Sequence, residues 1–305
     1  MKKLVFLFAA VLLTAISVNV FAQTDNGITP FVGSSHDYHV ADNSGSTYAW
    51  KLTTSVDGTG PDLIGSVATG TSSTYLINLT WINPVSGTTY YLHVTETASL
   101  AEGGCTNHKV LAIAPESFVM NFVTTQSSGT DNAIDTDYEV CPPDVLVSSY
   151  NGSEPPVSLA DAQAFTYDYQ TTYLYYHITV NGIDVSQTDW TATLTPTIAA
   201  NLSGQVTASW GTYDGSTWSE LENDGSITTT AFSYTRTGSN EVWLRLAVAH
   251  GTTYEGLTAE NIVLSATAAD EYTNVVVEVN GKTASSDEET QIIKKRPTTG
   301  VIGID

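Results

Sequence analysis

Cysteine and positive charge are both scarce in this chain. Two cysteines among 305 residues exclude a disulfide-dense scaffold and a four-thiolate zinc site. Ten Lys and Arg stand against 32 Asp and Glu, a formal net charge of -22, and such a chain lacks the basic footprint that nucleic-acid phosphates require. Charged residues make up only 14% of the chain and hydrophobic residues 41%, the reverse of the balance in a disordered acidic tail. No H-E-x-x-H and no G-x-S-x-G occurs, so zinc-protease and nucleophile-elbow chemistry have no footing. The six histidines are dispersed.

Long apolar runs are confined to the N-terminus. Lys2 and Lys3 precede an almost wholly apolar stretch from Leu4 to Val20, and Val20-Phe21-Ala22 reads as a signal-peptidase site. The pattern is that of a secretory signal peptide over 1–22. A membrane anchor of minimal length is the rival reading. The expectation is an exported protein, extracellular or on the cell surface, with the periplasm left open. Once the signal is removed, only Lys51, Lys109, Arg236 and Arg245 are basic between Gln23 and Gly281, and Lys282, Lys294, Lys295 and Arg296 cluster near the end. An acidic body attracts divalent cations at modest affinity, and solubility is the simpler role of that charge.

Convincing helical periodicity is missing too. Single helical turns are expected at Ala160–Ala164 and Thr258–Ile262. Period-2 segments rich in Thr, Val, Ile, Tyr and Trp recur instead. They include Tyr48–Thr53, Tyr75–Trp81, Tyr90–Thr95, Lys109–Ile113, Ser117–Thr124, Ala164–Val180, Trp190–Leu194, Gln205–Trp210, Ile227–Arg236, Glu241–Ala249 and Asn274–Val279. Clusters such as Asp42-Asn43-Ser44-Gly45 separate them. The fold class is therefore all-β, built of sandwiches. A first domain spans 27–115. Region 116–280 is one enlarged sandwich or two small ones, with Pro142-Pro143 and Pro155-Pro156 in an irregular stretch. Residues 281–305 read as a flexible tail.

The first domain runs Gly33-Ser34-Ser35-His36-Asp37-Tyr38-His39-Val40, Thr47-Tyr48-Ala49-Trp50-Lys51-Leu52, Ile77-Asn78-Leu79-Thr80-Trp81, Tyr90-Tyr91-Leu92-His93-Val94-Thr95-Glu96-Thr97 and Gly104-Cys105-Thr106. This order resembles the PKD/Ig-like domains of exported Bacteroidota surface proteins, among them components associated with type IX secretion and gliding adhesins. The resemblance covers about 90 residues, and implies tandem Ig/PKD-like β-sandwiches and a place in a surface assembly. The chain departs from the usual cargo in having no evident C-terminal sorting module. Independently of the resemblance, Trp50 and Trp81 occupy inward strand positions, where each ring buries roughly 150–250 Å². Tyr91 stands where related sandwiches place a corner-forming tyrosine.

Cys105 and Cys141 read most simply, in an exported chain, as one disulfide joining the end of the first domain to the start of the second region. Unstrained, it would contribute on the order of 3–4 kcal/mol; two free thiols are the alternative, since spacing does not establish contact. Asp131, Asp135, Asp137 and Glu139 are the densest alternating carboxylates and the candidate calcium ligands, although they lack the order of a calcium loop. Glu222-Asn223-Asp224-Gly225 reads as a plain turn. Tyr167, Tyr169, Tyr173 and Tyr175 share one face of an unbroken strand. Tyr213 and Trp218, flanking Asp214-Gly215, are the candidate ligand-stacking rings. Lys294, Lys295 and Arg296 form a candidate assembly tail, which lies back on an acidic face of its own molecule or a neighbour, or adds as a strand to an open sheet edge. No catalytic residue and no cofactor is indicated, calcium aside. The sequence reads as a non-enzymatic structural or adhesive protein of the cell envelope, with envelope proteins or further copies of itself as partners. The alternative is a carbohydrate-binding module that takes glycans on exposed aromatics of the second region.

Overall fold

The computed structural model describes residues 25–302 apart from 86, 134–135, 253–255, 273, 277–287 and 299–301. The expected signal peptide lies outside the described residues. No helix among the described residues is long and apolar enough to cross a membrane.

The chain is all-β, in two successive sandwiches. The first is made of β1 (Ser35–His39), β2 (Thr47–Thr53), β3 (Ala68–Thr69), β4 (Leu76–Trp81), β5 (Tyr90–Thr97) and β6 (Thr106–Ile113). They form two three-stranded antiparallel sheets, ordered β1-β4-β3 and β2-β5-β6. Alternation in β4 sends Ile77, Leu79 and Trp81 inward, where they meet Leu52, Leu92 and Ile113. Trp81 is fully buried, and Trp50 packs half-buried against the same core while its Nε1 donates to Thr74 O. The hydroxyl that ties a loop back onto this domain is that of Tyr90, which accepts from Val85 N at 2.8 Å. Tyr90 faces the core and Tyr91 points the other way, so the corner role expected of Tyr91 falls to its neighbour.

The second sandwich contains β7 (Val119–Thr125), β8 (Tyr138–Val140), β9 (Leu146–Tyr150), β10 (Phe165–Asp168), β11 (Thr171–Asn181), β12 (Trp190–Ile198), β13 (Val206–Tyr213), β14 (Trp218–Ser226), β15 (Phe232–Arg236), β16 (Glu241–Ala249), β17 (Glu260–Asp270), β18 (Val275–Val276) and β19 (Glu288–Ile293). A five-stranded sheet, β14-β13-β16-β11-β7, faces a second sheet, β15-β12-β17-β19-β8, with β18 also on β17. One core runs between them from Phe118 to Ile293, so region 116–280 is a single enlarged sandwich. The hairpin of β9 and β10 stands apart as its own two-stranded sheet.

Three expectations change. The segment Ala164–Val180 is not one strand: Gln170 adopts a left-handed φ of 59° and divides β10 from β11. Thr258–Ile262 is not a helical turn, because Glu260 already pairs with Ile293 in β17. Residues 288–293, read with the tail, form β19, antiparallel to β17 and parallel to β8. Two of the basic residues that follow, Lys294 and Arg296, are used within the molecule. Lys294 N–H donates to Val140 O at 2.9 Å and its Nζ meets Glu139. The Arg296 guanidinium donates to Pro143 O and Tyr169 O, its centre 5.8 Å from the Tyr169 ring. Lys295 is exposed.

Cys105, before β6 in the first sandwich, and Cys141, after β8 in the second, are both free and exposed. The expected disulfide is not formed. Each cysteine flanks the edge strand of a sheet in a different sandwich.

Val32 joins the two sandwiches. It is 1% exposed and belongs to the core of the second sandwich, although it precedes the first strand of the first. Its N–H donates to Gly182 O at 3.0 Å and its carbonyl accepts from Asp184 N at 2.8 Å. The next residue, Gly33, has φ 84°, and a Cβ there would lie 1.9 Å from Thr188 Oγ1. Asn274 Nδ2 adds a bond to Ile82 O at 2.9 Å. Gly33→Ala therefore meets both a backbone penalty of about 1–3 kcal/mol and a steric clash. Calorimetry is expected to show a lowered unfolding temperature with the second sandwich affected most.

His250 is buried and bonds Thr172 Oγ1 at 2.7 Å. Burial, followed by the positive charge of Arg296, pushes its pKa below the ordinary 6.5. The unfolded chain then binds a proton at this position more readily than the folded one. The His250 contribution to stability is complete above pH 6.5 and is lost as pH falls through the folded value. Urea midpoints measured on both sides of pH 6.5 should show that dependence in the native protein, and a flatter one in His250→Gln.

Candidate binding face on the five-stranded sheet

Strict alternation builds the most chemically dense surface. In β11, Leu174, Tyr176, Ile178 and Val180 are buried, and Tyr173, Tyr175, His177 and Thr179 take the opposite face. In β16, Val242, Leu244, Leu246 and Val248 point inward, leaving Trp243 and Arg245 outward. The ladder then sets rows across the sheet. Tyr175 stands opposite Arg245 and Arg245 opposite Ser209; His177 stands opposite Trp243 and Trp243 opposite Gly211.

Gly211 is the floor of this surface. A Cβ there would lie 2.6 Å from Trp218 Cζ2 and 2.5 Å from Ser219 O. With no side chain in the way, the Trp218 indole lies down over the sheet from β14. The Arg245 guanidinium is 4.6 Å from that indole and 5.2 Å from the Tyr173 ring, within cation–π range of both. Its Nη2 also reaches Glu220 at 3.7 Å. Trp218 Nε1 and Arg245 Nε are buried with no hydrogen-bond partner among the described residues.

The rings are largely satisfied by one another. Tyr175 and Tyr213 stack at 4.5 Å and 8°, and His177 and Trp243 at 4.0 Å and 10°. The edge of Trp243 meets Tyr213 at 5.5 Å and 73°. Burial, then the neighbouring Tyr213, holds the Tyr175 hydroxyl above its ordinary pKa. His177 lies between two carboxylates, Nδ1 to Asp131 at 3.0 Å and Nε2 to Glu241 at 3.3 Å. The Tyr213 hydroxyl donates to Ser127 O, which pins the loop after β7 onto the turn after β13. These turns touch glycine to glycine: a Cβ on Gly129 would lie 2.5 Å from Gly215 Cα.

Tyr213 and Trp218, named from sequence, are thus brought together, but as half-buried members of a self-stacked cluster rather than as a free platform. Tyr173 is the open ring, 47% exposed. The four tyrosines expected on one face separate at Gln170: Tyr173 and Tyr175 belong to this surface, and Tyr167 and Tyr169 face each other at 6.5 Å beside the β9–β10 hairpin. Trp243 and Arg245 escaped sequence reasoning. The alternation of Glu241–Ala249 was readable, but only the register shows which strand lies beside it. The expected turn at Glu222-Asn223-Asp224-Gly225 lies within β14, where the pairing with β13 shifts twice.

The described members of the candidate calcium set, Asp131, Asp137 and Glu139, are not assembled. Asp131 is held by Thr125 Oγ1 and His177 over the five-stranded sheet, whereas Glu139 is in β8 of the opposite sheet, paired with Lys294. Asp137 is exposed, and Asp135 lies outside the described residues. β7 and β8 lie in different sheets, which sets Asp131 and Glu139 apart. No group of three or more His, Cys, Asp or Glu among the described residues is placed to hold a metal ion.

These features define a tandem-sandwich protein of the all-β class. No family model matches the chain, and no curated protein matches it. Solved structures similar to it include the collagen adhesin (CNA) from S. aureus, at 10% identity and TM-score 0.23, covering 89% of this chain and 91% of that one. Titin domains z1z2 in complex with telethonin match at 12% identity and TM-score 0.25, covering 88% and 90%. The collagen binding domain of Erysipelothrix rhusiopathiae surface protein RspB matches at 7% identity and TM-score 0.19, covering 87% and 86%. Likeness at these TM-scores carries no argument about function.

Gly211→Ala is expected to lift Trp218 off the sheet and expose Arg245. Near-ultraviolet circular dichroism and tryptophan emission should report a wetter indole, while the far-ultraviolet spectrum keeps its β character.

Proposed function

We propose that this chain is an exported, non-enzymatic structural or adhesive protein of the cell envelope or surface, which engages a protein partner through the β9–β10 hairpin. The observation that carries this reading is the exposed apolar surface of that hairpin and its connection. Leu146 is 52% exposed, Val147 61%, Val157 82%, Phe165 41% and Tyr167 41%. Tyr167 stands opposite Val147 in the ladder, which sets two of these side chains together on one face, and an exposed apolar patch on a folded domain marks an interaction site. This one projects from an otherwise acidic molecule on a segment that is separate from both main sheets. The Val32 joint supports the same reading, because it holds the two sandwiches in one orientation and suits a part that must present a surface at a fixed place. The self-stacked rings of the five-stranded sheet leave little free ring face for a sugar, which sets carbohydrate binding second.

The test uses beads coated with the protein and cells that produce it. The native protein should bind the cell surface, and the variant Leu146→Ser/Val147→Ser/Phe165→Ser/Tyr167→Ser should lose about tenfold or more. Covering each such side chain is worth on the order of 1 kcal/mol, and 1.4 kcal/mol corresponds to a decade. Unchanged binding by that variant would overturn the hairpin as the contact. Competition by a soluble glycan, with quenching of Trp218 emission, would favour the carbohydrate reading.

A further inference from the structure

Natural sheets guard their edges with charge, proline, bulges or covering segments, and three edges here show such devices. β14 carries Glu220, Glu222 and Asp224 and two register shifts. The outer side of β2 is taken by Leu63 N–H, which donates to Leu52 O at 2.8 Å, and that of β7 by Asn132 N–H, which donates to Thr124 O at 2.9 Å. β6 is guarded more lightly: it carries one charge, Lys109, and only its end is covered, where Ala114 N–H donates to Ile28 O and Glu116 N–H to Pro30 O. It is the last strand of the order β2-β5-β6, and its eight residues pair with β5 in unbroken register. Its first seven residues are all exposed. Val110 is 43% and Leu111 40% exposed, on opposite faces.

The outward backbone groups can be identified. Ala98 N–H donates to Cys105 O on the β5 side, whereas Ala114 N–H donates to Ile28 O on the far side. Alternation therefore directs the N–H and C=O of Thr106, His108, Val110 and Ala112 outward. The His108 N–H is met by its neighbour Asn107 Oδ1 at 2.9 Å; the other outward groups have no partner among the described residues.

We propose that β6 is a strand-addition site whose occupant is β6 of a second copy, paired antiparallel about a two-fold axis at Val110. Two features select a second copy. Residues 103–115 contain no carboxylate, in a chain of net charge -22, so two molecules can approach here without the repulsion that opposes contact elsewhere. In an antiparallel ladder, a residue with outward groups must meet another such residue, and an even-numbered residue on the axis meets itself. Centring on Val110 sets Lys109 against Leu111 and His108 against Ala112. Lysine faces an aliphatic chain, which its own alkyl stem covers, and no like charges are opposed. The result is a continuous six-stranded sheet, and the two-fold closes it. The proposal is independent of the hairpin contact, since it uses neither its residues nor its sandwich.

Sedimentation equilibrium of the native protein over a wide concentration range is the test. A monomer–dimer equilibrium is expected. Val110→Pro removes an outward N–H that the β5 ladder does not use, so the fold should survive with unchanged circular dichroism and unfolding temperature while the dimer is lost. In a Cys105→Ser/Cys141→Ser background, Val110→Cys should give an interchain disulfide on oxidation, because the axis brings the two positions together. A native protein that stays monomeric, open-ended oligomers, or a Val110→Pro protein that still dimerises would overturn the proposal.

Discussion

The central pair of strands in the larger sandwich, β11 and β16, constrains almost everything around it. Each devotes every second residue to the core, and between them they bury four aliphatic side chains of β16 and Leu174, Tyr176, Ile178 and Val180 of β11. Burying a side chain of this size is worth about 1.5–3 kcal/mol, and a slip of one residue would turn the whole set to solvent. The register is thereby fixed, and with it the identity of the residues that must face out. The aromatic and charged cluster on the outer surface is the obligatory reverse of the core. Tyr175, His177, Trp243 and Arg245 meet because their neighbours along the chain have nowhere else to go.

A second constraint acts at the joint. Val32 makes both of its backbone hydrogen bonds to the larger sandwich, while Gly33 N–H donates to Trp81 O in the smaller one. Two consecutive residues thus serve two cores. The absence of a side chain at Gly33 leaves room for the Thr188 side chain, which fills the space a Cβ would take. Rotation of one sandwich against the other would have to break those bonds and withdraw Val32 from an apolar interior.

The architecture was largely legible in the sequence because its strands alternate and its turns are marked by Gly, Asn and Asp. β4, β12 and β16 announce themselves in this way. β17 was hidden because it places Ala266 and Ala268 at inward positions, and alanine does not favour strands. β19 was hidden because the polar side chains of Glu289 and Gln291 alternate inward and are buried, which inverts the pattern of an apolar inner face. The site was legible only in part. Tyr213 and Trp218 could be found beside a turn, but their contact with Tyr175 and Arg245 depends on strand order, and strand order is not local information. The two cysteines illustrate the same limit: a plausible spacing says nothing about which sheet each one borders.

The position of β19 has a consequence for the order in which the molecule can be assembled. Among the described residues, β8, at residues 138–140, has β19 as its only ladder partner, and β19 comes from residues 288–293, far along the chain. One margin of the larger sheet must therefore wait while about half of the polypeptide is made. Contacts that close so long a loop form late and slowly. Until β19 arrives, β17 presents an open flank from Glu260 to Ser265. A molecule that lacks residues 288–293 is left with an unfinished sheet.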